Sequence, residues 1–216
     1  MSLVIVGAGD HGRVIAEAAR AAGHSILGFV QPSGPGGSAG EVDGLPILGT
    51  LDDPQVQARV GHEASFVVAL GSNAPRKAAY AECLRHGWQP ASIVHPTAIL
   101  LGGSRIGEGS QVCAAAVIGV GAEVGADVIV NTAASVDHDG RIHDHAFIGP
   151  GARLAGRVTV EAGAHVGIGA VVREGCTIGA WSYVAAGAVV VSDVPGHTRV
   201  AGIPARLMDR PLEDPA

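Results

Sequence analysis

The residues best suited to chemistry form a charged triplet, Asp137-His138-Asp139, inside a long apolar stretch of the chain. Carboxylates beside an imidazole can hold it in one tautomer and raise its basicity toward neutral pH. His138 is therefore a candidate general base. The alternative is a corner of the fold whose charges only face water, and the triplet alone leaves both interpretations open.

Two further histidines, His143 and His145, follow closely enough to suggest a metal site. The six-residue repeat described below places them around a corner from His138, and no cysteine joins them, so we expect no metal. Cysteine nucleophiles are not expected either, because Cys176 occupies a small-residue position of the repeat and Cys113 has no flanking base.

A second candidate site is the glycine motif Gly7-x-Gly9-x-x-Gly12, which directly follows an apolar strand. Such a turn can present backbone N–H groups to a pyrophosphate. An NAD site would need an acidic residue at the end of the second strand, where Gln31-Pro32 stands, so we expect no NAD. The alternative is a tight strand-to-helix turn that binds nothing.

We interpret this end of the chain as a nucleotide-sugar site, built where strands end and helices begin. The expected substrate-binding residues are Gly9, Asp10, His11, Gly12, Gln31, Ser72, Asn73 and Arg76.

The elements that would position this site alternate between strands and helices. The pattern predicts strands at Leu3–Val6, Ser25–Val30 and Ser65–Leu70, and helices from about His11 to Ala22 and from Ala74 to His86. Residues 31–44, rich in glycine and proline, are expected to be a loop. This alternation predicts a Rossmann-like parallel α/β domain over residues 1–92.

From Val94 onward the period changes to six. All 17 positions at this spacing, from Val94 to Val190, are branched aliphatic residues, and 15 of the 17 positions two residues earlier are small. Neither strands nor helices produce such a period, whereas a triangular prism with about 18 residues per coil does. We therefore predict a β-helix over residues 93–192 and place Gly156 one coil beyond His138. The α/β domain would cap the first coil, and residues 193–216 the last.

Composition limits the partners and the compartment. The net charge of −6, without a basic run, argues against nucleic acid and anionic membrane surfaces. No apolar segment approaches the roughly 20 residues that span a bilayer. Three dispersed cysteines and a start without a basic leader predict reduced thiols in a cytoplasmic protein.

Four segments carry a more specific resemblance: residues 5–14, His95-Pro96-Thr97-Ala98, residues 136–139 and the tail Val200-x-Gly-Ile-Pro-Ala-Arg206. Together they resemble the hexapeptide-repeat sugar O/N-acyltransferases. That family includes sialic-acid O-acetyltransferases and the N-acetyltransferases of the UDP-bacillosamine pathway and of GDP-perosamine. The resemblance covers residues 3 to about 208 and implies that the β-helix is left-handed.

The resemblance also implies roles for particular residues. His138 would be the general base, Asp139 would orient it, and the Gly156 N–H would stabilise the oxyanion of the tetrahedral intermediate. Relatives carry a histidine at the position of Phe147, and those that use UDP often carry an acidic pair at Gln31-Pro32, so this chain departs from them at both places. The residues expected to contact acetyl-CoA are Phe147, Gly156, Ile168 and Ala186.

In the family the β-helix forms a homotrimer, acetyl-CoA lies between neighbouring prisms, and the N-terminal domain holds the nucleotide-linked sugar. The resemblance thus predicts acetyl-CoA-dependent N-acetylation of the 4-amino group of a nucleotide-linked 4-amino-4,6-dideoxy sugar by direct transfer. The alternatives are O-acetylation of sialic acid or another sugar hydroxyl, and a trimeric scaffold without catalysis. An NAD-dependent enzyme is disfavoured by Gln31.

Overall fold

A computed structural model describes residues 2–34, 40–61 and 64–208 of the chain. The N-terminal part consists of six strands and three helices. In chain order they are β1 (Leu3–Val6), α1 (Asp10–Ala21), β2 (Ile26–Gln31), β3 (Gly40–Val42), β4 (Leu45–Thr50), α2 (Pro54–Val60), β5 (Ser65–Val68), α3 (Asn73–Arg85) and β6 (Gln89–Pro90).

These six strands form one sheet in the order β3-β4-β2-β1-β5-β6, parallel except for β3, which runs antiparallel to β4. The central strands β1 and β5 are apolar because both faces of the sheet are covered by packed elements. The parallel α/β fold is confirmed. The expected loop over residues 31–44 is wrong in part, because strand β3 occupies Gly40–Val42. Residues 35–39 of that loop lie outside the described residues.

Three sheets follow, parallel except for the last strand of face 1, and form the faces of a prism. Face 1 contains β7 (Ile93–Val94), β10 (Gln111–Val112), β13 (Ile129–Val130), β16 (Phe147–Ile148), β19 (His165–Val166), β22 (Tyr183–Val184), β24 (Arg199–Ala201) and β25 (Arg206–Leu207). Face 2 contains β8 (Ile99–Leu100), β11 (Val117–Ile118), β14 (Ser135–Val136), β17 (Arg153–Leu154), β20 (Val171–Val172) and β23 (Val189–Val190). Face 3 contains β9 (Arg105–Ile106), β12 (Glu123–Val124), β15 (Arg141–Ile142), β18 (Thr159–Val160) and β21 (Thr177–Ile178).

From β7 to β23 the paired strands of the prism join residues 18 positions apart, as in Val112 with Val130 and Val136 with Leu154. In the last rung the spacing is 16, as in Val184 with Val200. The β-helix predicted from the six-residue period is therefore confirmed. From Val112 to Val190 the aliphatic positions of the repeat are buried and form one continuous core. The small residues two positions earlier are also buried, since the corners leave no room for larger side chains.

The two ends of the prism are closed differently. The α/β domain lies against face 1 and buries Ile93 of the first coil in its own core. Leu100 in the same coil is 43% exposed, so the expected N-terminal cap covers the first coil only in part. At the other end β24 continues face 1 and β25 turns back antiparallel to it. Residues 209–216 of the expected C-terminal cap lie outside the described residues. No helix among the described residues is long and apolar enough to cross a membrane.

Candidate active site

The catalytic candidate His138 lies at the corner between faces 2 and 3, called here the 2–3 corner, just after β14. Its Nδ1 is 2.9 Å from Asp139 Oδ2, and the two side chains are 47% and 65% exposed. Because a carboxylate only accepts, this contact selects the tautomer with the proton on Nδ1. The opposite nitrogen, Nε2, then carries the lone pair that can take a proton.

Two neighbours fix this pair in place. The backbone N–H of His138 donates to Asp137 Oδ1 at 2.7 Å, a role of Asp137 that the sequence did not reveal. Asp139 adopts a left-handed backbone with φ of 56° and places its carboxylate over Gly121 of the preceding coil, where a Cβ would lie 3.0 Å from Oδ1. The corner is therefore preorganised around the imidazole, while its outer edge stays open to solvent.

Gly156 lies one coil further on at the same corner, directly beneath His138. A Cβ at Gly156 would lie 2.3 Å from His138 Nε2, so the imidazole occupies the space that a side chain would need. In the part of the chain that the structure describes, the N–H of Gly156 has no hydrogen-bond acceptor, whereas the N–H of Arg157 donates to His138 O. An available N–H beside Nε2 is the arrangement that an oxyanion site requires.

The residues expected to bind acetyl-CoA are not together in one protomer. Ile168 and Ala186 lie at the corner between faces 1 and 2, and both are exposed. Phe147 lies on the outer side of face 1. Because a triangular prism has three faces, the 2–3 corner with His138 and Gly156 is opposite face 1. A cofactor held by all these residues would have to touch more than one protomer.

Phe147 begins a column of stacked side chains along face 1. Its ring is 4.4 Å from that of His165, which lies 4.7 Å from Tyr183, and the Arg199 guanidinium lies over the Tyr183 ring. Burial lowers the pKa of His165 to about 4, with a smaller contribution from the positive charge of Arg76. His165 is therefore neutral at physiological pH.

The glycine motif of the α/β domain divides into two kinds of position. Gly7 and Gly12 are required by packing, since a Cβ at Gly12 would lie 2.1 Å from Gly7 O and one at Gly7 would contact the Ala69 backbone. A Cβ at Gly9, in contrast, meets nothing within 4 Å. Gly9 precedes α1, and Asp10, the first residue of that helix, is exposed. The space beside Gly9 is where a phosphate could approach the helix N-terminus.

His11 joins this loop to the prism. Its Nε2 is 2.9 Å from Gln111 Oε1 on face 1, and the Gln111 amide donates to Val68 O at the end of β5. Burial lowers the pKa of His11, so the ring is neutral and donates its Nε2 proton to the glutamine. His11 can therefore offer a phosphate or sugar a neutral nitrogen, but no positive charge.

The four remaining substrate-site candidates are placed differently from one another. Gln31 ends β2 and Ser72 precedes α3, and both are partly exposed at the carboxyl edge of the sheet. Asn73 and Arg76 are buried and face the prism: Asn73 donates to Gly163 O, and Arg76 is 0% exposed. A ligand cannot reach side chains so enclosed, so Arg76 and Asn73 do not belong to the substrate-binding surface.

Among the described residues no group of three or more His, Cys, Asp or Glu side chains is arranged to hold a metal ion. The three cysteines are free and buried. Burial raises the pKa of the Cys113 thiol to about 12 and raises that of Cys83 as well. Both thiols are protonated at neutral pH and are poor nucleophiles.

Comparisons with known proteins agree with this architecture. The family model described as the PglD N-terminal domain matches residues 2–83. A structure of PerB from Caulobacter crescentus, in complex with CoA and GDP-perosamine, has a TM-score of 0.89 and 34% identity, and the match covers 96% of this chain and 97% of that one. The chain belongs to the hexapeptide-repeat sugar acyltransferase family.

A second solved structure supports membership of this family, and a third supports the fold. The acetyltransferase domain of PglB from Neisseria gonorrhoeae, in complex with acetyl coenzyme A, is 35% identical with a TM-score of 0.87, covering 96% of this chain and 98% of that one. WeeI from Acinetobacter baumannii is 23% identical with a TM-score of 0.84, covering 96% and 100%, and supports the fold alone. A search of curated proteins found no match.

Proposed function

We propose that this acyltransferase transfers the acetyl group of acetyl-CoA to the amino group of a nucleotide-linked 4-amino-4,6-dideoxy sugar. The observation that carries the proposal is the geometry of His138, whose Nδ1 is engaged by Asp139 and whose Nε2 lies against Gly156. Two similar structures support the proposal. One is of a perosamine N-acetyltransferase in complex with CoA and GDP-perosamine, and the other is of the PglB acetyltransferase domain in complex with acetyl coenzyme A.

In the proposed reaction the sugar amine attacks the thioester carbonyl carbon directly. His138 Nε2 accepts a proton from the amine as the new C–N bond forms, and the carbonyl oxygen becomes an oxyanion. The Gly156 N–H donates to that oxyanion. When the intermediate collapses, the C–S bond breaks and the proton on His138 passes to the departing sulfur. The products are the amide and the CoA thiol, and Asp139 stabilises the imidazolium throughout.

We further propose that the site is shared between protomers of a homotrimer. The α/β domain with the Gly9 loop lies against face 1, whereas His138 lies at the opposite corner of the same prism. Six of the twelve exposed large apolar side chains among the described residues lie on the outer side of face 2 or at the corners next to it: Ile99, Leu101, Val120, Ile168, Val171 and Val191. Such a concentration favours contact with a second copy of the chain.

In this arrangement one protomer supplies the sugar through Gly9, Asp10, His11, Gly12, Gln31 and Ser72. The cofactor groove would be lined by Ile168, Ala186 and Phe147 on one side, and the neighbouring protomer would supply His138, Asp139 and Gly156 on the other.

Turnover with a panel of acceptors tests the proposed reaction. Purified protein is incubated with acetyl-CoA and GDP-, UDP- or dTDP-linked 4-amino-4,6-dideoxy sugars, with sialic acid as a hydroxyl acceptor. We expect thiol release and an acetylated product with at least one amino sugar. Acetylation of sialic acid alone would establish the O-acetyltransferase alternative. Absence of acetyl-CoA binding by calorimetry would establish the scaffold alternative.

Mixed trimers test whether the site is shared. The His138→Ala variant lacks the base, and a Gly9→Phe variant blocks the sugar loop at a position where a side chain meets no protein atom. If the site is shared, randomly mixed trimers of the two inactive variants regain about a quarter of the wild-type sites. A site confined to one protomer would leave every mixed trimer inactive. Light scattering of each sample checks that trimers form.

A further inference from the structure

Helix α3 lies along the corner between faces 3 and 1, called here the 3–1 corner, and contacts successive coils. Tyr80 contacts the corner at Gly109, and Asn73 contacts it at Gly163. Lys77 lies over the Trp181 ring. The corner positions share a left-handed backbone and a spacing of 18 residues: Gly109, Asp127, His145, Gly163 and Trp181. The helix thus follows five coils of the prism in register.

Arg76 lies at the centre of this contact and uses all three of its nitrogens. Nε donates to Asp127 O at 3.1 Å, and Nη2 donates to His145 O at 2.6 Å and to Ala146 O at 3.1 Å. Nη1 donates to Leu70 O and to Asn73 Oδ1. One planar group therefore connects two coils of the prism to the loop between β5 and α3.

A buried carboxylate completes the cluster. Asp127 Oδ2 lies 3.3 Å from Arg76 Nε and accepts from His145 Nδ1 at 2.9 Å, and both the aspartate and the arginine side chains are fully buried. Asp127 Oδ1 is buried and has no hydrogen-bond partner within the described residues. Desolvation raises the pKa of Asp127 and lowers that of Arg76, and each charge opposes the shift of the other.

Stability does not account for such a cluster. A buried ion pair recovers its desolvation cost only with complete hydrogen bonding, and apolar side chains of equal volume are often more stable. The unpartnered oxygen of Asp127 makes this cost larger. What the cluster provides is geometry. A slip of α3 by one coil would move it about 4.8 Å along the prism. Equivalent carbonyls would still be present there, but Arg76 would be separated from Asp127, the acidic residue among the five corner positions.

The geometry matters because of what lies on each side of Arg76. On one side are Gly71 and Ser72, in the loop at the carboxyl edge of the sheet, anchored through Leu70 O and Asn73. On the other is His145, seven residues after His138 in the same coil. We propose that Arg76, with Asp127 and His145, is a positioning residue that sets the height of the sugar-binding loop relative to the catalytic coil. This inference rests on the proposed function.

In a symmetric trimer whose threefold axis runs parallel to the prisms, equivalent coils lie at equal heights. Arg76 would therefore position the loop of one protomer against the His138 of its neighbour, although it touches neither substrate.

The test removes both charges and keeps the volume. Arg76→Met alone leaves the Asp127 carboxylate buried without a cation and is expected to lower the melting temperature. Adding Asp127→Asn, which tolerates the left-handed backbone at this position, is expected to restore it. In this double variant we expect kcat/KM for the nucleotide sugar to remain about 10- to 100-fold below the wild-type value, with the affinity for acetyl-CoA unchanged.

A double variant with wild-type melting temperature and wild-type kcat/KM would overturn the proposal, because the cluster would then be only structural. The matched control is Arg105→Met with Glu123→Gln, an exposed ion pair on face 3, which should leave all parameters unchanged.

Amide hydrogen exchange supplies a readout that needs no turnover. We expect faster exchange of residues 70–76 in the double variant, with exchange of the coils unchanged. Unchanged exchange at residues 70–76 would overturn the positioning role. A wild-type protein that acetylates no nucleotide sugar would instead overturn the proposed function, and exchange would still decide the positioning role.

Discussion

The prism carries two histidine–aspartate pairs of the same geometry at two different corners. His138 with Asp139 and His145 with Asp127 each join Nδ1 to a carboxylate oxygen at 2.9 Å. The first pair is about half exposed, whereas Asp127 is fully buried and also contacts Arg76. The pair alone therefore does not define a catalyst. What distinguishes the 2–3 corner is an accessible Nε2 with an available backbone N–H beside it.

Replacing the exposed histidine should have the largest effect on turnover. We expect His138→Ala to lower kcat about 1,000-fold, the cost of losing a general base, with the melting temperature unchanged. Steady-state kinetics and thermal melting of the trimeric variant measure both. A kcat within a few fold of wild type would remove His138 from the mechanism and with it the functional distinction between the two corners.

The same substitution in both pairs should separate their roles. Asp127→Asn leaves the buried Arg76 without its counter-charge and is expected to lower the free energy of unfolding by about 3 kcal/mol. Asp139→Asn is expected to leave stability unchanged and to lower kcat about 100-fold, because the imidazole loses its orienting partner and the imidazolium loses its counter-charge. Denaturation and kinetics of both variants provide the comparison, and equal destabilisation by the two would contradict it.

The sequence predicted the prism better than it predicted the contacts on its surface. A strict six-residue period fixes which residue of every coil faces inward, so the position of Gly156 one coil beyond His138 follows from counting. Arg76 illustrates the limit: its place at the start of a helix after a strand resembles a ligand-binding position. Only the docking of α3 on the 3–1 corner shows that its charge is buried.

The β3–β4 hairpin and helix α2 were not predicted from the sequence either. Residues 31–44 are rich in glycine and proline, and the short strand β3 inside that stretch depends on pairing with β4, not on an apolar pattern of its own. The partly exposed first coil was also beyond prediction, because the repeat does not indicate which surface the α/β domain covers.

A smaller effect should follow from filling the space beneath His138. Gly156→Ala places a methyl group where the imidazole now lies, so the ring must move away from the corner. We expect kcat to fall about 30-fold, because displacement of the base disrupts the reacting geometry. KM for acetyl-CoA should change little, and kinetics measure both. Gly102→Ala is a matched control, because Gly102 occupies the same position of the repeat three coils earlier and a Cβ there meets nothing within 4 Å.

The smallest expected effect concerns a third histidine, His165, which is partly buried and has no carboxylate partner among the described residues. Its pKa in the folded protein is about 4, below the roughly 6.5 of an unfolded chain. As pH falls through this range the unfolded state binds a proton that the folded state does not, so stability decreases. Between pH 7 and pH 5 we expect His165 to contribute a loss of about 2 kcal/mol, or several degrees of melting temperature.

The His165→Phe variant isolates this contribution, because phenylalanine can still stack between Phe147 and Tyr183 but does not titrate. Its melting temperature should fall less than that of wild type between pH 7 and pH 5. If His165→Phe kept the wild-type difference in melting temperature between the two pH values, burial of His165 would not account for the loss of stability in acid.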